Sequence, residues 1–458
     1  MTNSGNSEDI LYFGAPALSL DKSGYLVYSP WRKEFVCLKT NQMQDQKVIG
    51  ELIQKGFIQP FSTAISHSVK QNKNKHILVF VITKRCNLKC SYCFANSSPK
   101  HREKMEPKTA VSIFKKMSQI HDISMVHFIG GEPTLNFTVI RKVKEIADKL
   151  NIFPKFYITT NGTSSVYILD WLVDNRFTLK VSWDGLMAQK IARPLIGGQD
   201  SGPKVERTIE HLVNRGARFC IRITATKSNL SNLVESIQWL AEHGVKYIHI
   251  EPMSPDGRGA DVQGDVPEPA EFESQFSRII ALAEEKKFWV MNSALGNLFS
   301  PSDYFCCSPR DRVHHFNPDG SISACYKVDD KTNSLANYFI KGNYEIIENR
   351  CEIQWKEKTI SRLLRLDSSY YASCRSCFLR YVCSGGCPHC NLGGVRSGEI
   401  DPRMCEIRRR ILRKAILHLY ERAKKGERSC LEGIEKFYHE DSLESNNSCN
   451  GALHTKKI

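Results

Sequence analysis

Three cysteines stand close together as Cys86-x3-Cys90-x2-Cys93. Three thiolates on one short loop can hold three corners of a cubane iron–sulfur cluster and leave the fourth iron open. An open coordination position separates a catalytic metal site from a closed structural one. A cofactor with adjacent amine and carboxylate groups could chelate that iron and accept an electron from it. A zinc site would need a fourth ligand nearby; Asn87, Ser91 and Asn96 are poor donors, which leaves His101. A second set follows: Cys306 and Cys307, Gly320-x4-Cys325, then Cys374-x2-Cys377-x5-Cys383-x3-Cys387, and Cys405. A zinc ribbon pairing Cys374-x2-Cys377 with Cys387-x2-Cys390 leaves Cys325, Cys383 and Cys405 unexplained. Cys390 reads as a free thiol, Cys37, Cys220 and Cys351 as small buried residues, and Cys430 and Cys449 as incidental.

The elements that must carry these residues follow a rhythm. Apolar strands at Ile77–Ile82, Val126–Ile129, Phe156–Thr159, Leu179–Trp183, Phe219–Ala225 and Tyr247–Ile250 alternate with helical stretches, the last strand leading into a looser connection. Such alternation implies a parallel sheet, since each crossover needs a helix to return the chain. Six units fall short of the eight that close a barrel, so the expected architecture is α/β with an open, partial (β/α)6 barrel. Ligands of such folds gather beyond the carboxyl ends of the strands. The cysteine trio follows the first strand, Gly130-Gly131-Glu132-Pro133 the second, and Thr160-Asn161-Gly162 the third. Ser182-Trp183-Asp184-Gly185 ends the fourth and Arg222 lies in the fifth. All share one rim.

Around this barrel, expected at 76–300, residues 1–75 read as a small α+β module. It has strands at Gly24–Ser29 and Glu34–Leu38, a helix at Gln42–Lys55 and a polar linker at Ser66–Lys75. Residues 301–425 are cysteine-rich and end in a helix, Met404–Lys425, whose Ile407, Ile411, Leu412, Ile416 and Leu419 form one apolar stripe. Residues 426–458 are expected to be disordered. With 41% hydrophobic and 25% charged residues the 458-residue chain is an ordinary globular one, without a transmembrane run or an export signal. A cytoplasmic location is expected, and there the 17 cysteines stay reduced and serve metals or catalysis. The net charge of +15 is partly concentrated in Asp401–Arg428, with ten Lys/Arg against four Asp/Glu, and reads as a solvated helix face.

The run Cys86-x3-Cys90-x-Tyr92-Cys93, followed by Gly130-Gly131-Glu132-Pro133, resembles the radical S-adenosylmethionine (SAM) enzymes. The resemblance implies SAM bound to a 4Fe-4S cluster on Cys86, Cys90 and Cys93. It also implies reductive cleavage of SAM to methionine and a 5′-deoxyadenosyl radical that abstracts a substrate hydrogen. By the same resemblance the Tyr92 backbone approaches the adenine. Gly130 and Gly131 admit the methionine amino group, which Glu132 helps to position. Ser182 and Asp184 address the ribose, Asn161 belongs to the same rim, and Arg193 or Arg222 pairs with the methionine carboxylate. Relatives often carry His-Asp-x-x-Arg after the fourth strand, whereas this chain has Gln189-Lys190-Ile191-Ala192-Arg193. The second cysteine set resembles a SPASM domain, which implies two auxiliary iron–sulfur clusters of the 4Fe-4S type. Cys374, Cys377, Cys383 and Cys405 would hold one; Cys325 and Cys387 would hold the other with Cys306, Cys307 or both.

SPASM enzymes commonly modify peptides or proteins, and auxiliary clusters suit a net oxidation. The expected activity is formation of an oxidative intramolecular cross-link (thioether, carbon–carbon or ether) in a ribosomal precursor peptide, with a flavodoxin- or ferredoxin-type reductant. No residue is singled out as the catalytic base. Sulfatase-maturing relatives place an Asp directly after the cysteine of Gly-x4-Cys; here that position is Tyr326, a phenol and a poor base at neutral pH. That branch and a peptide epimerase are the alternatives, and a zinc-stabilised nucleic-acid-binding protein is a distant third. Neither a specific nucleic acid nor a membrane is expected as partner. The N-terminal module resembles the winged-helix-like leader-peptide recognition domains of such maturases, where an edge strand captures an extended peptide. The competing reading is a cover for the barrel.

Overall fold

The computed structural model describes residues 10–12, 14–20, 24–58, 75–394, 398–439 and 454–456. Four antiparallel strands open the chain: β1 (Ile10–Tyr12), β2 (Ala15–Ser19), β3 (Tyr25–Ser29) and β4 (Glu34–Leu38), followed by helix α1 (Gln46–Gln54). The expected linker falls largely outside the described residues.

From Lys75 the alternation expected from the sequence is present. It runs β5 (Lys75–Val81), α2 (Pro107–Ile120), β6 (Asp122–Ile129), α3 (Phe137–Lys149), β7 (Lys155–Thr160), α4 (Val166–Asp174) and β8 (Thr178–Ser182). Then come α5 (Gln189–Ala192), α6 (Gly202–Asn214), β9 (Phe219–Ala225), α7 (Leu233–Glu242) and β10 (Tyr247–Pro252). The looser connection expected after β10 is in fact a further unit, α8 (Pro269–Lys286) and β11 (Trp289–Met291). Its signal is a helical stripe, with Phe272, Phe276, Ile279, Ile280 and Ala283 all buried. Strands β5 to β11 are parallel neighbours in chain order; β12 (Val313–Phe316) returns to pair in parallel with the free side of β5. The sheet continues antiparallel through β13 (Ser321–Ser323), β14 (Ile340–Ile347) and β15 (Arg350–Trp355). The fold is therefore the partial barrel, extended on one edge by the cysteine-rich region.

Strand alternation sorts the side chains. Val126, Phe128, Ile158, Leu179 and Ile221 point outward and are fully buried under the helices. The residues between them, such as His127, Thr159, Lys180 and Arg222, face the lumen. Short helices α9 (Ala336–Phe339), α10 (Glu357–Leu363), α11 (Arg380–Cys383) and α12 (Pro388–Gly394) carry the C-terminal cysteines' surroundings, and α13 (Pro402–Lys424) packs on α8. No helix among the described residues is long and apolar enough to cross a membrane.

The structure departs from two sequence expectations. The stretch after 425 is ordered where described: helix α14 (Gly433–His439) follows it, and β16 (His454–Lys456) pairs in parallel with β4. Phe437 and the half-buried Tyr438 explain the helix, because they fill the amino-terminal mouth of the barrel against Tyr157, Cys220, Tyr247 and Met291. Cys430 is buried in the same region, and Cys449 lies outside the described residues. Cys37 is exposed rather than buried, since its place in β4 turns it away from the core, 3.3 Å from the Tyr420 hydroxyl. The N-terminal sheet is fixed to the rest through Tyr28, whose hydroxyl donates to the Leu298 carbonyl at 2.9 Å.

Candidate active site

The loop after β5 brings Cys86, Cys90 and Cys93 together around Leu88. Three segments brace its backbone. Lys89 N and Ser91 N donate to the carbonyls of Pro194 and Ala192, each at 2.9 Å. Gly131 N and Glu132 N donate to Thr83 and Arg85 carbonyls at 2.7 and 2.9 Å. Arg258, from the segment after β10, donates through Nε to the Cys90 carbonyl at 2.9 Å and through Nη1 to the Ser97 carbonyl at 3.0 Å. Nothing in the sequence singled out Arg258; a lone Arg in a polar loop carries no spacing signal. Gly131 is required by this packing, because a Cβ there would lie 2.2 Å from the Arg85 carbonyl oxygen.

The rim residues form two groups. Glu132 is buried, with its carboxylate taking Thr134 N and Oγ1, Thr160 Oγ1 (2.8 Å) and Asn161 N (2.7 Å). Burial pushes its pKa up and these donors oppose the shift. Glu132 thus ties the ends of β6 and β7 together. Asn161 turns its amide toward Asn87 Oδ1 (2.8 Å) and lies 3.8 Å from the Cys86 sulfur. In the second group the Tyr92 hydroxyl donates to Asp184 and accepts from Arg193 Nη1 at 2.9 Å; Asp184 also takes Thr224 N at 3.0 Å. Gln189, standing where relatives often carry His, is fully buried. It accepts from Asp184 N and donates to Ser201 Oγ, both at 2.9 Å, while Ser201 holds the Arg193 carbonyl. Its amide offers the donor and acceptor that position needs. Arg193 and Arg222 are separated by this geometry. Arg193 is buried beside Cys90, Tyr92 and Asp184, whereas Arg222 faces the lumen beside Tyr326 and Glu251, in register with Ser182.

The remaining sulfurs fall into two sets. Cys374, Cys377, Cys383 and Cys405 interact with one another, brought in by α11, the first turn of α13 and the turn before them. Cys306, Cys325 and Cys387 form the other, and Cys390, read from the sequence as a free thiol, joins it. Cys387 and Cys390 stand at i and i+3 at the start of α12, which places both on one face, and their thiols are hydrogen-bonded. That spacing was visible in the sequence. Cys307 is exposed. Arg408 of α13 is buried between the two sets, next to Cys383 and Cys405 on one side and Cys387 and Cys390 on the other. Gly386 makes room for it: a Cβ there would lie 2.1 Å from Arg408 Nη1. Burial pushes the Cys86, Cys325, Cys374 and Cys383 thiols up to about 12. Such sulfurs ionise when a metal replaces the proton, and three sulfur-rich donor sets fit iron–sulfur clusters, with Asp256 and His389 also beside Cys390.

A model of the radical SAM superfamily matches residues 80–240. An uncharacterized protein of Methanocaldococcus jannaschii is 31% identical over 184 residues, 40% of this chain and 63% of that one, so the chain spans less than two thirds of this relative. The mycofactocin maturase MftC of Mycolicibacterium smegmatis is 25% identical over 68% of this chain and 77% of its own. Among solved structures, anSMEcpe with bound AdoMet and a peptide superposes with a TM-score of 0.61 at 19% identity, over 77% of this chain and 99% of that one. Streptococcus suis SuiB bound to precursor peptide SuiA gives 0.52 at 16% identity, over 86% and 97%. Residues 80–240 therefore carry a radical SAM domain, and the fold around it is that of the two solved structures. The likeness to the mycofactocin maturase and to both solved structures runs beyond that domain into the cysteine-rich region that follows the barrel.

Proposed function

We propose that this chain is a peptide maturase that forms an oxidative intramolecular cross-link, thioether, carbon–carbon or ether, in a ribosomal precursor peptide. Cys86, Cys90 and Cys93 hold the SAM-binding cluster; when bound, cluster and SAM supply the 5′-deoxyadenosyl radical that takes a substrate hydrogen. Arg193 meets the methionine carboxylate, and Tyr92, Asp184 and Gln189 keep its guanidinium in place. Gly130, Gly131, Glu132 and Asn161 shape the wall around the amino group, and Ser182 faces the ribose. Cys374, Cys377, Cys383 and Cys405 hold one auxiliary cluster. Cys306, Cys325, Cys387 and Cys390 hold the other, leaving Cys307 free.

The observation that carries this reading is the pair of sulfur sets beside the lumen with Arg408 between them. An electron left on a substrate after hydrogen abstraction needs an exit, and two adjacent redox centres provide one. A flavodoxin- or ferredoxin-type protein is the reductant for the first cluster. Formylglycine formation is disfavoured, because Tyr326 stands where that chemistry uses a carboxylate, and a phenol is a poor base at neutral pH. The N-terminal sheet serves peptide capture through an edge. The β4 edge already holds a parallel segment, β16, and β1 ends the sheet on the other side.

The test is intact mass of each short peptide encoded beside the gene, co-expressed anaerobically with the enzyme or with its Cys90→Ala variant. Loss of two hydrogens that depends on Cys90 is the expected result; an unchanged mass for every such peptide overturns the cross-linking assignment.

A further inference from the structure

The lumen below the rim holds two cations that the scheme above leaves without a role. Lys180 on β8 and Arg222 on β9 both face inward on neighbouring strands, offset by two residues, with Lys180 paired in register to Cys220 and Arg222 to Ser182. Lys180 is 8% exposed, its ammonium 5.3 Å from the centre of the Tyr157 ring and 5.0 Å from that of Tyr438 at the barrel floor. Each disfavours the other's charge. Among the described residues neither makes an ion pair. The carboxylate beside Arg222, Glu251, is already held by His249 Nε2 at 2.7 Å and Ser293 N at 2.5 Å.

The charge balance is therefore uneven. Burial lowers the pKa of His127, His249 and His315, which leaves them neutral. Burial and Arg222 bring Lys180 down to about 8, so it is still charged at neutral pH. Among the described side chains that line the lumen, two cations against one carboxylate leave one positive charge, an arrangement that is costly until an anion enters. One negative charge balances it, and a guanidinium fork with an ammonium beside it suits a carboxylate. SAM carries such a group, but Lys180 lies a layer below Ser182 toward the floor, whereas Arg193 sits beside Cys90.

We propose that Lys180 and Arg222 select a carboxylate of the substrate peptide, an Asp or Glu side chain or a terminal carboxyl group, and so anchor the residue presented to the radical. The inference rests on the peptide-maturase reading and adds its substrate class.

The test uses the SAM-loaded, cluster-replete enzyme and four probes followed by saturation-transfer NMR: Ac-Ala-Ala-Asp-Ala-Ala-NH2, its Asn counterpart, Ac-Ala-Ala-Ala-OH and glutarate. The Asp or free-acid peptide is expected to bind about tenfold more tightly than the Asn amide, the scale of one charge-assisted contact. Lys180→Met and Arg222→Gln should each remove that preference and leave SAM affinity within about twofold. Lys180→Met should also raise the melting temperature of the unliganded protein, which loss of a merely structural lysine would lower. Should Arg222→Gln fail to fold, Arg222→Lys keeps the charge, loses the fork and should still weaken acid binding. Equal binding of acid and amide, acid preference that survives Lys180→Met, or failure of every carboxylate probe to bind overturns the proposal. Loss of SAM affinity in Arg222→Gln with peptide preference intact assigns the anion to SAM instead. Binding of glutarate with no peptide bound retires the peptide reading itself.

Discussion

The loop of Cys86, Cys90 and Cys93 and the region of the later cysteines reach the same kind of site by opposite means. In the first, all sulfurs lie on one short loop, and the rest of the molecule supplies braces: Pro194, Ala192 and Arg258 hold its backbone from outside. In the second, the sulfurs are spread from Cys306 to Cys405, and several short helices and turns, with the first turn of α13, place them. The difference is one of cooperativity. A contiguous loop tolerates change around it but not within it. A distributed site depends on the whole region's packing, and single sulfurs within it are separable. The two are joined by buried ion pairs: Lys84, two residues before Cys86, meets Asp329 and Asp330, and Lys327, two after Cys325, meets Asp256 next to the Arg258 brace.

The largest contrast should come from removing one sulfur from each. Cys90→Ala is expected to abolish 5′-deoxyadenosine formation, read by chromatography. Cys377→Ala should leave uncoupled SAM cleavage within a few-fold and abolish the modified peptide. Comparable SAM cleavage losses in both would erase the distinction. Next comes the assignment of the fourth sulfur: Cys390→Ser should change the auxiliary-cluster EPR signal and lower bound iron, while Cys307→Ser leaves both unchanged. The reverse pattern would put Cys307 in the set.

The braces come third. Arg258→Met removes two charge-assisted hydrogen bonds to the loop backbone. SAM cleavage should fall by about a hundredfold or more with iron content retained, since such bonds contribute roughly 1.5–3 kcal/mol each and about 1.4 kcal/mol is a factor of ten. The smallest effect concerns the frame behind the second region, where Glu284 of α8 takes His418 Nε2 and Cys430 N, both at 2.9 Å. Burial alone would raise its pKa; these donors and Arg422 reverse that and bring it to about 2. A carboxylate held below its unfolded value stabilises fully above that value, near 4.5, and loses the contribution as pH falls toward 2. On the order of 2–3 kcal/mol should therefore disappear across that window. Glu284→Gln should flatten the acid limb of a melting-temperature profile; an unchanged limb would show that Glu284 does not carry it.

These contrasts also explain what was legible beforehand. The rim motifs could be read because each is contiguous and each follows a strand whose apolar run is itself readable. Gly130, Gly131, Glu132, Asn161 and Asp184 fall at strand ends for that reason. Residues acting through tertiary contact gave no such cue. Arg258 and Gln189 look like ordinary loop residues until the backbone groups they satisfy are known. The spacing from Cys387 to Cys390 suits a zinc knuckle and one turn of helix alike, and only the fold shows which other sulfurs that helix face meets. The segment around Phe437 gives no cue for a related reason: a short aromatic pair in polar sequence has no periodicity, and its burial depends on a cavity formed by β7, β9 and β10.

That aromatic pair makes the chamber a cul-de-sac. Arg218 of the α6–β9 turn fixes the floor by donating to the Lys436 and Phe437 carbonyls at 3.0 and 2.7 Å. Among the described residues that end is packed, and the opposite rim carries the cysteine loop, which leaves the rim as the side from which guests would enter. Whatever occupies the depths must arrive before, or alongside, what covers them, and a long guest arriving last would seal in the small one. Turnover in such a vessel is governed by the order of departures. A tightly held modified guest would slow the exchange of spent cofactor even where the bond-making step is fast.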